Sequence, residues 1–124
     1  MTQYFLTIPH DTADEPTMES MQEMDPAELE AMIAAVDGFN TALNESGAFV
    51  TAGGLMPPST ATTVDATDGE PKRIPGPFVD APAYVGGFWI IDVADEETAL
   101  GWAEHCSKAL QSRIEVRALQ EEPQ

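Results

Sequence analysis

A chain of 124 residues, 43% hydrophobic and 22% charged, has a globular composition and is sized for one domain with a single core. Its 22 acidic residues against 5 lysines and arginines leave a net charge of −17, a field that repels phosphate backbones and anionic lipid surfaces. No nucleic-acid and no membrane role is therefore expected, and the acidity itself reads as solubility, as adaptation to a salty cytoplasm, or as a docking surface for a basic partner.

The chain opens on Met1-Thr2-Gln3 with no basic segment followed by an apolar one, and no apolar run nears the ~18 residues of a membrane span. A soluble, cytoplasmic protein is expected. Tyr4 to Ile8 is rich in aromatic and β-branched residues and stops at Pro9, which predicts a first strand. A polar, acidic loop follows from His10 to Met24, with Met18, Met21 and Met24 at helical spacing. The three methionines suit either a flap over core or interface, or a lid over a pocket.

Asp25-Pro26-Ala27-Glu28 starts a helix: the aspartate can cap free amides, and proline suits the first helical position. Leu29, Met32, Ile33, Val36, Phe39 and Leu43 then form one apolar stripe, and Gly47 ends the helix. Gly38 inside the stripe lowers helix propensity, so close packing against another backbone is expected there. Ala48 to Ala52, ending in Gly53-Gly54, is a second strand. Thr60 to Ala66, the turn at Asp68-Gly69 and the return through Lys72-Arg73-Ile74 predict a polar hairpin at an edge or projecting from the body.

The three-proline run Pro75 to Pro82 is a loop, and Val85 to Val93 is a main central strand apolar enough for burial on both faces. Its Gly86-Gly87 pair, beside Phe88 and Trp89, marks a place where backbone or ligand approaches closely. Asp95 caps a second helix to about Cys106 that turns Ala99, Trp102 or Ala103, and Cys106 inward, and Arg113 to Arg117 alternates as a half-exposed last strand. This order predicts an α+β fold, a ferredoxin-like split β-α-β with an added hairpin. Two helices cover one sheet face, and a second copy is expected to cover the other, giving a homodimer.

The sequence resembles the YCII-related, or DGPF-domain, family over nearly its whole length. The resemblance is carried by Gly53-Gly54-Leu55, by Pro57-Pro58 with the Thr60-to-Val64 run, by Gly76-Pro77-Phe78, and by Gly86-Gly87-Phe88 in a strand ending Asp92-Val93. It implies a single YCII-related domain over 1–124 and a dimeric α+β barrel of two ferredoxin-like protomers packed sheet to sheet. It also implies, from relatives beside or fused to extracytoplasmic-function sigma factors, an accessory or sensing role. The chain departs from the family pattern where Pro75 replaces the motif's leading Asp, and Asp80 stands where Glu is usual. Pro82 and Ala83 replace a Lys and a Glu. A His-Asp pair with its histidine on the first helix, attributed to a related branch, has no counterpart, because Pro26 to Ser46 holds no histidine.

Few residues offer chemistry. His10, beside Asp11, is either an exposed loop histidine or a proton shuttle at a cavity mouth. Asp80 matches the family's acidic position; it either caps its own loop or sits buried under Phe78 and Trp89 as an acid-base group. His10 and Asp80 are the candidate catalytic pair, and Tyr4, Phe78, Gly86, Gly87 and Trp89 the candidate pocket. His105, late in the second helix, and Cys106, the single cysteine, read as structural. Two distant histidines argue against a metal site, and the absence of phosphate-cradling glycine motifs and of a serine nucleophile elbow argues against a nucleotide cofactor or serine hydrolase chemistry. No cofactor is expected. Two readings stand: a proton-transfer enzyme of isomerase, lyase or dehydrochlorinase type on a small molecule, or a non-catalytic binding or regulatory module. Asp80 buried within reach of His10 would favour the first, and a cavity lined only by apolar groups the second.

Overall fold

Residues 2–11 and 25–120 are described by the computed structural model, with the backbone alone at His10 and Asp11; the stripe of Met18, Met21 and Met24 lies outside the described residues. In chain order the elements are β1 (Thr2–Asp11), α1 (Pro26–Ser46), β2 (Phe49–Gly54), a 3-10 turn (Pro58–Thr60), β3 (Thr62–Asp65), β4 (Lys72–Pro75), β5 (Ala83–Val93), α2 (Glu96–Leu110) and β6 (Glu115–Ala118). Four strands form one sheet in the order β2-β5-β1-β6, and β3 pairs with β4 in a separate hairpin. Every pairing is antiparallel, so the fold is α+β. No helix among the described residues is long and apolar enough to cross a membrane.

Local chemistry accounts for the helix ends. Asp25 accepts a hydrogen bond from the Ala27 amide at 3.0 Å, and Pro26 occupies the first turn, where its missing N–H costs nothing. Gly47 closes α1 at φ 82°, its amide donating to the Asn44 and Leu43 carbonyls. Asp95 caps α2 by accepting from the Thr98 amide at 2.8 Å and the Thr98 hydroxyl at 2.7 Å. This helix runs a turn beyond Cys106, to Leu110. Nothing in Ser107-Lys108-Ala109-Leu110 breaks a helix, and the stop is Gln111 in the left-handed conformation at φ 51°.

Period-two alternation divides the sheet into two unlike faces. Tyr4, Leu6, Trp89, Ile91 and Val93 lie buried against the helices, where Phe39 and Leu43 of α1 and Ala99, Ala103 and Cys106 of α2 meet them. Each large apolar side chain so buried contributes about 1.5–3 kcal/mol. Phe5, Phe88 and Ile90 lie on the other face and are only half-buried. The expectation that β5 is buried on both faces is thus corrected for the single chain, in which every second residue from Phe88 to Asp92 retains exposure.

The stripe on α1 is corrected as well. Phe39 and Leu43 are buried, but Met32 is 44% and Ile33 52% exposed. The C-terminal half of the helix packs on the sheet, while the N-terminal half leaves a gap beneath it. Gly38 has nothing within 4 Å of where a Cβ would stand, so close backbone approach does not explain it.

Candidate functional site: a cavity between helix and glycine-rich strands

The gap under α1 ends on four glycines. Gly53 and Gly54 close β2 and pair with Phe88 and Gly87 of β5. On the other side of β5 the β1 register runs from Ile8–Gly87 to Pro9–Val85, so Gly86 is an extra residue at a bulge. The Gly86 carbonyl is not wasted, since it accepts from the Leu55 amide at 2.8 Å. A Cβ on Gly87 would stand 3.1 Å from Cγ2 of Ile8 and 3.3 Å from the Gly53 carbonyl oxygen, so glycine lets three strands converge there. A Cβ on Gly54 would meet nothing within 4 Å.

These strand ends and one face of α1 line a cavity of about 540 Å³, within the size range of small-molecule sites. Met32, Val36 and Asn40 come from α1, and Ile8 and Trp89 from the sheet, beside the glycine pairs. The Trp89 indole N–H donates to Oδ1 of Asn40 at 2.7 Å. The Phe39 ring meets the indole edge-on at 5.3 Å, so packing and a hydrogen bond together fix its plane. Among the described residues no titratable side chain lines this cavity; its polar side chain is Asn40.

A second concavity, of about 530 Å³, lies on the uncovered sheet face. Phe5, Thr7 and Val85 form its floor, with Arg113, Glu115 and Arg117 at its edge. It is nearly as large as the first, but its lining comes from the sheet and the segment leading into β6 rather than from helix and sheet together.

The residues singled out in the sequence are dispersed. Gly86, Gly87 and Trp89 line the helix–sheet cavity. Tyr4 is buried in the core, paired with Ile91, and does not line it. Phe78 is 85% exposed and Asp80 is exposed, in the loop between β4 and β5. That loop turns through Gly76 at φ 107° and is tied to itself: the Tyr84 hydroxyl donates to the Val79 carbonyl and accepts from the Ala81 amide at 2.9 Å. Phe78 and Asp80 are accordingly not brought to the glycine pairs. The His10 backbone pairs with Tyr84, and its side chain lies outside the described atoms.

Asn40, Met32 and Val36 are among the lining residues that the predicted pocket did not include. A signal for Asn40 was present, since it follows Val36 by four positions and so shares its helix face. A polar residue on an otherwise apolar face is a site marker that the stripe itself conceals.

The remaining chemistry-bearing groups are occupied structurally. Cys106 is fully buried, and burial pushes its thiol up to about 12, which removes the thiolate a nucleophile needs. His105 stacks on Trp102 at 5.8 Å and meets the Phe39 ring edge-on at 5.3 Å. Among the described residues no group of three or more His, Cys, Asp or Glu is placed to hold a metal ion.

Compared with known families, residues 3–122 match the YCII-related domain. No curated protein matches the chain.

Proposed function

The chain belongs to the YCII-related family, and from that premise we propose that it is a small-molecule-binding module whose site is the cavity between α1 and the glycine-rich strand ends. The observation that carries this reading is the lining, whose described side chains are apolar apart from Asn40. Proton-transfer catalysis needs an acid or base within hydrogen-bond reach of the reacting atom. The exposed position of Asp80 weighs against the His10–Asp80 pair that an isomerase, lyase or dehydrochlorinase would use. Binding requires only shape, apolar surface and a few polar contacts, and the cavity offers those.

The working form of the module is a cytoplasmic homodimer. The strand order β2-β5-β1-β6 with both helices on one side suits a ferredoxin-like protomer, and the half-buried Phe5, Phe88 and Ile90 suit closure of the open face by a second copy as a dimeric α+β barrel.

The test uses N-phenyl-1-naphthylamine, a neutral apolar fluorophore, titrated into the intact protein. Saturable binding at one probe per chain is expected, together with its loss in Gly54→Phe, which adds a ring beside the cavity at a position where a Cβ meets nothing within 4 Å. Circular dichroism establishes that the variant folds. Absence of saturable binding to the unaltered protein, or undiminished binding to a folded Gly54→Phe, overturns the proposal.

A further inference from the structure

The geometry points to a ligand class for this cavity, resting on the binding reading above: a neutral, largely apolar molecule that carries a hydrogen-bond acceptor, such as a ketone, ester or amide carbonyl, directed at Nδ2 of Asn40. The argument begins with the indole. A tryptophan N–H can only donate, so the atom facing Trp89 at 2.7 Å must be the oxygen of the Asn40 amide. With that oxygen held against the indole, the wholly uncommitted part of the amide is its NH2 group, two N–H donors, while the oxygen keeps one further lone pair. Nδ2 makes no hydrogen bond among the described residues, and it is not sealed away either. Among the described residues the buried side-chain polar atom left without a partner is Oδ1 of Asp92, elsewhere in the fold.

The cavity therefore presents a donor of fixed orientation in an apolar wall. Phe39 holds the indole, the indole holds the amide, and the amide cannot rotate to expose its oxygen without breaking a bond to a buried Trp89. A ligand that only donates, such as a protonated amine, finds among the described side chains of the lining only the second lone pair of the Asn40 oxygen, already held against Trp89. A carboxylate accepts well, but no lysine or arginine among the described residues lines the cavity, and the net charge of −17 opposes its entry. A neutral carbonyl on an apolar frame meets both conditions.

Three shape-matched probes test this on the intact protein, read by tryptophan fluorescence: 2-acetylnaphthalene, 2-isopropenylnaphthalene, in which C=CH2 replaces C=O, and 2-naphthoate. The ratio of ketone to alkene affinity should fall about threefold to tenfold in Asn40→Leu, the effect of one neutral hydrogen bond. Asn40→Asp at pH 8 keeps an acceptor for Trp89 while losing the donor; it should lower the ratio likewise and serves if the leucine variant does not fold. The carbonyl stretch of bound ketone should lie at lower frequency in the unaltered protein than in either variant. If ketone and alkene both bind and neither the ratio nor the stretch responds to Asn40, the inference fails and the binding reading stands. Naphthoate binding as tightly as the ketone overturns the requirement for neutrality. If none of the three binds, the cavity is not a ligand site and both readings fall together.

Discussion

Phe5 of β1 and Phe88 of β5 stack on the sheet face opposite the helices, their ring centroids 5.5 Å apart and their planes 25° from parallel. Phe88 in turn covers Gly53, where a Cβ would stand 3.2 Å from its ring. Three strands thus share one aromatic platform, and within the chain its outer surface stays partly open.

That platform is the expected centre of the dimer. A stable interface buries at least ~1,000 Å² in total, and its core favours aromatic residues. Phe5→Glu should yield a folded monomer by light scattering at a micromolar concentration where the unaltered protein is dimeric. A monomeric unaltered protein would remove the proposed interface altogether.

Gly87 and Gly54 should respond oppositely to alanine. Gly87→Ala drives a methyl against Ile8 and against the Gly53 carbonyl, a backbone atom that cannot yield without disturbing β2. Overpacking of this kind costs about 1–3 kcal/mol. Gly54→Ala meets open space and should change stability by no more than about 0.5 kcal/mol. Urea unfolding of the two variants measures the contrast.

Phe39 is the keystone between the layers. It is almost wholly buried and meets Trp89, Trp102 and His105 edge-on, at 5.3, 6.1 and 5.3 Å. Phe39→Ala should cost about 3–5 kcal/mol, a large part of the ~5–15 kcal/mol that holds an ordinary domain together. Thermal unfolding should show a deeply lowered midpoint, with Trp89 fluorescence shifted toward that of a solvated indole.

Cys106 sets a limit at high pH. Its folded value is raised from 9.0 to about 12 because burial disfavours the thiolate. The folded state therefore holds its proton where the unfolded state has lost it. The associated stability is complete below pH 9 and declines as pH rises from 9 toward 12. Cys106→Ala should flatten that part of the stability curve. Iodoacetamide at pH 8 should label the thiol only after unfolding.

Asp95 acts at the acid end. The Thr98 hydroxyl, and then the Thr98 amide, hold its carboxyl below the usual value of 3.8. Its contribution to α2 is present above pH 3.8 and is lost as pH falls through the lowered folded value. Asp95→Ala should lower the melting midpoint at pH 7, and the gap from the unaltered protein should close in strong acid.

Local chemistry was legible from sequence because its causes are local. Asp25-Pro26 and Gly47 bound α1 through caps that need only neighbouring residues, whereas β5, apolar at nearly every position, did not show in sequence that Trp89, Ile91 and Val93 alone would meet the helices. Where backbone segments converge, glycine was informative too: Gly86-Gly87 marked the place, although not the partners, which are Ile8 and Gly53. Tertiary structure alone decided the rest. The periodicity that makes Met32 and Phe39 equivalent on paper cannot say which half of a helix overhangs its sheet, and that overhang creates the cavity. Nor can proximity in sequence place Asp80, because the loop that carries it is tied to itself through Tyr84, at the far end of a turn set by Gly76. The donor at Asn40 exists because Trp89, 49 positions away, claims the amide oxygen, and a contact of that range is settled only when the layers meet.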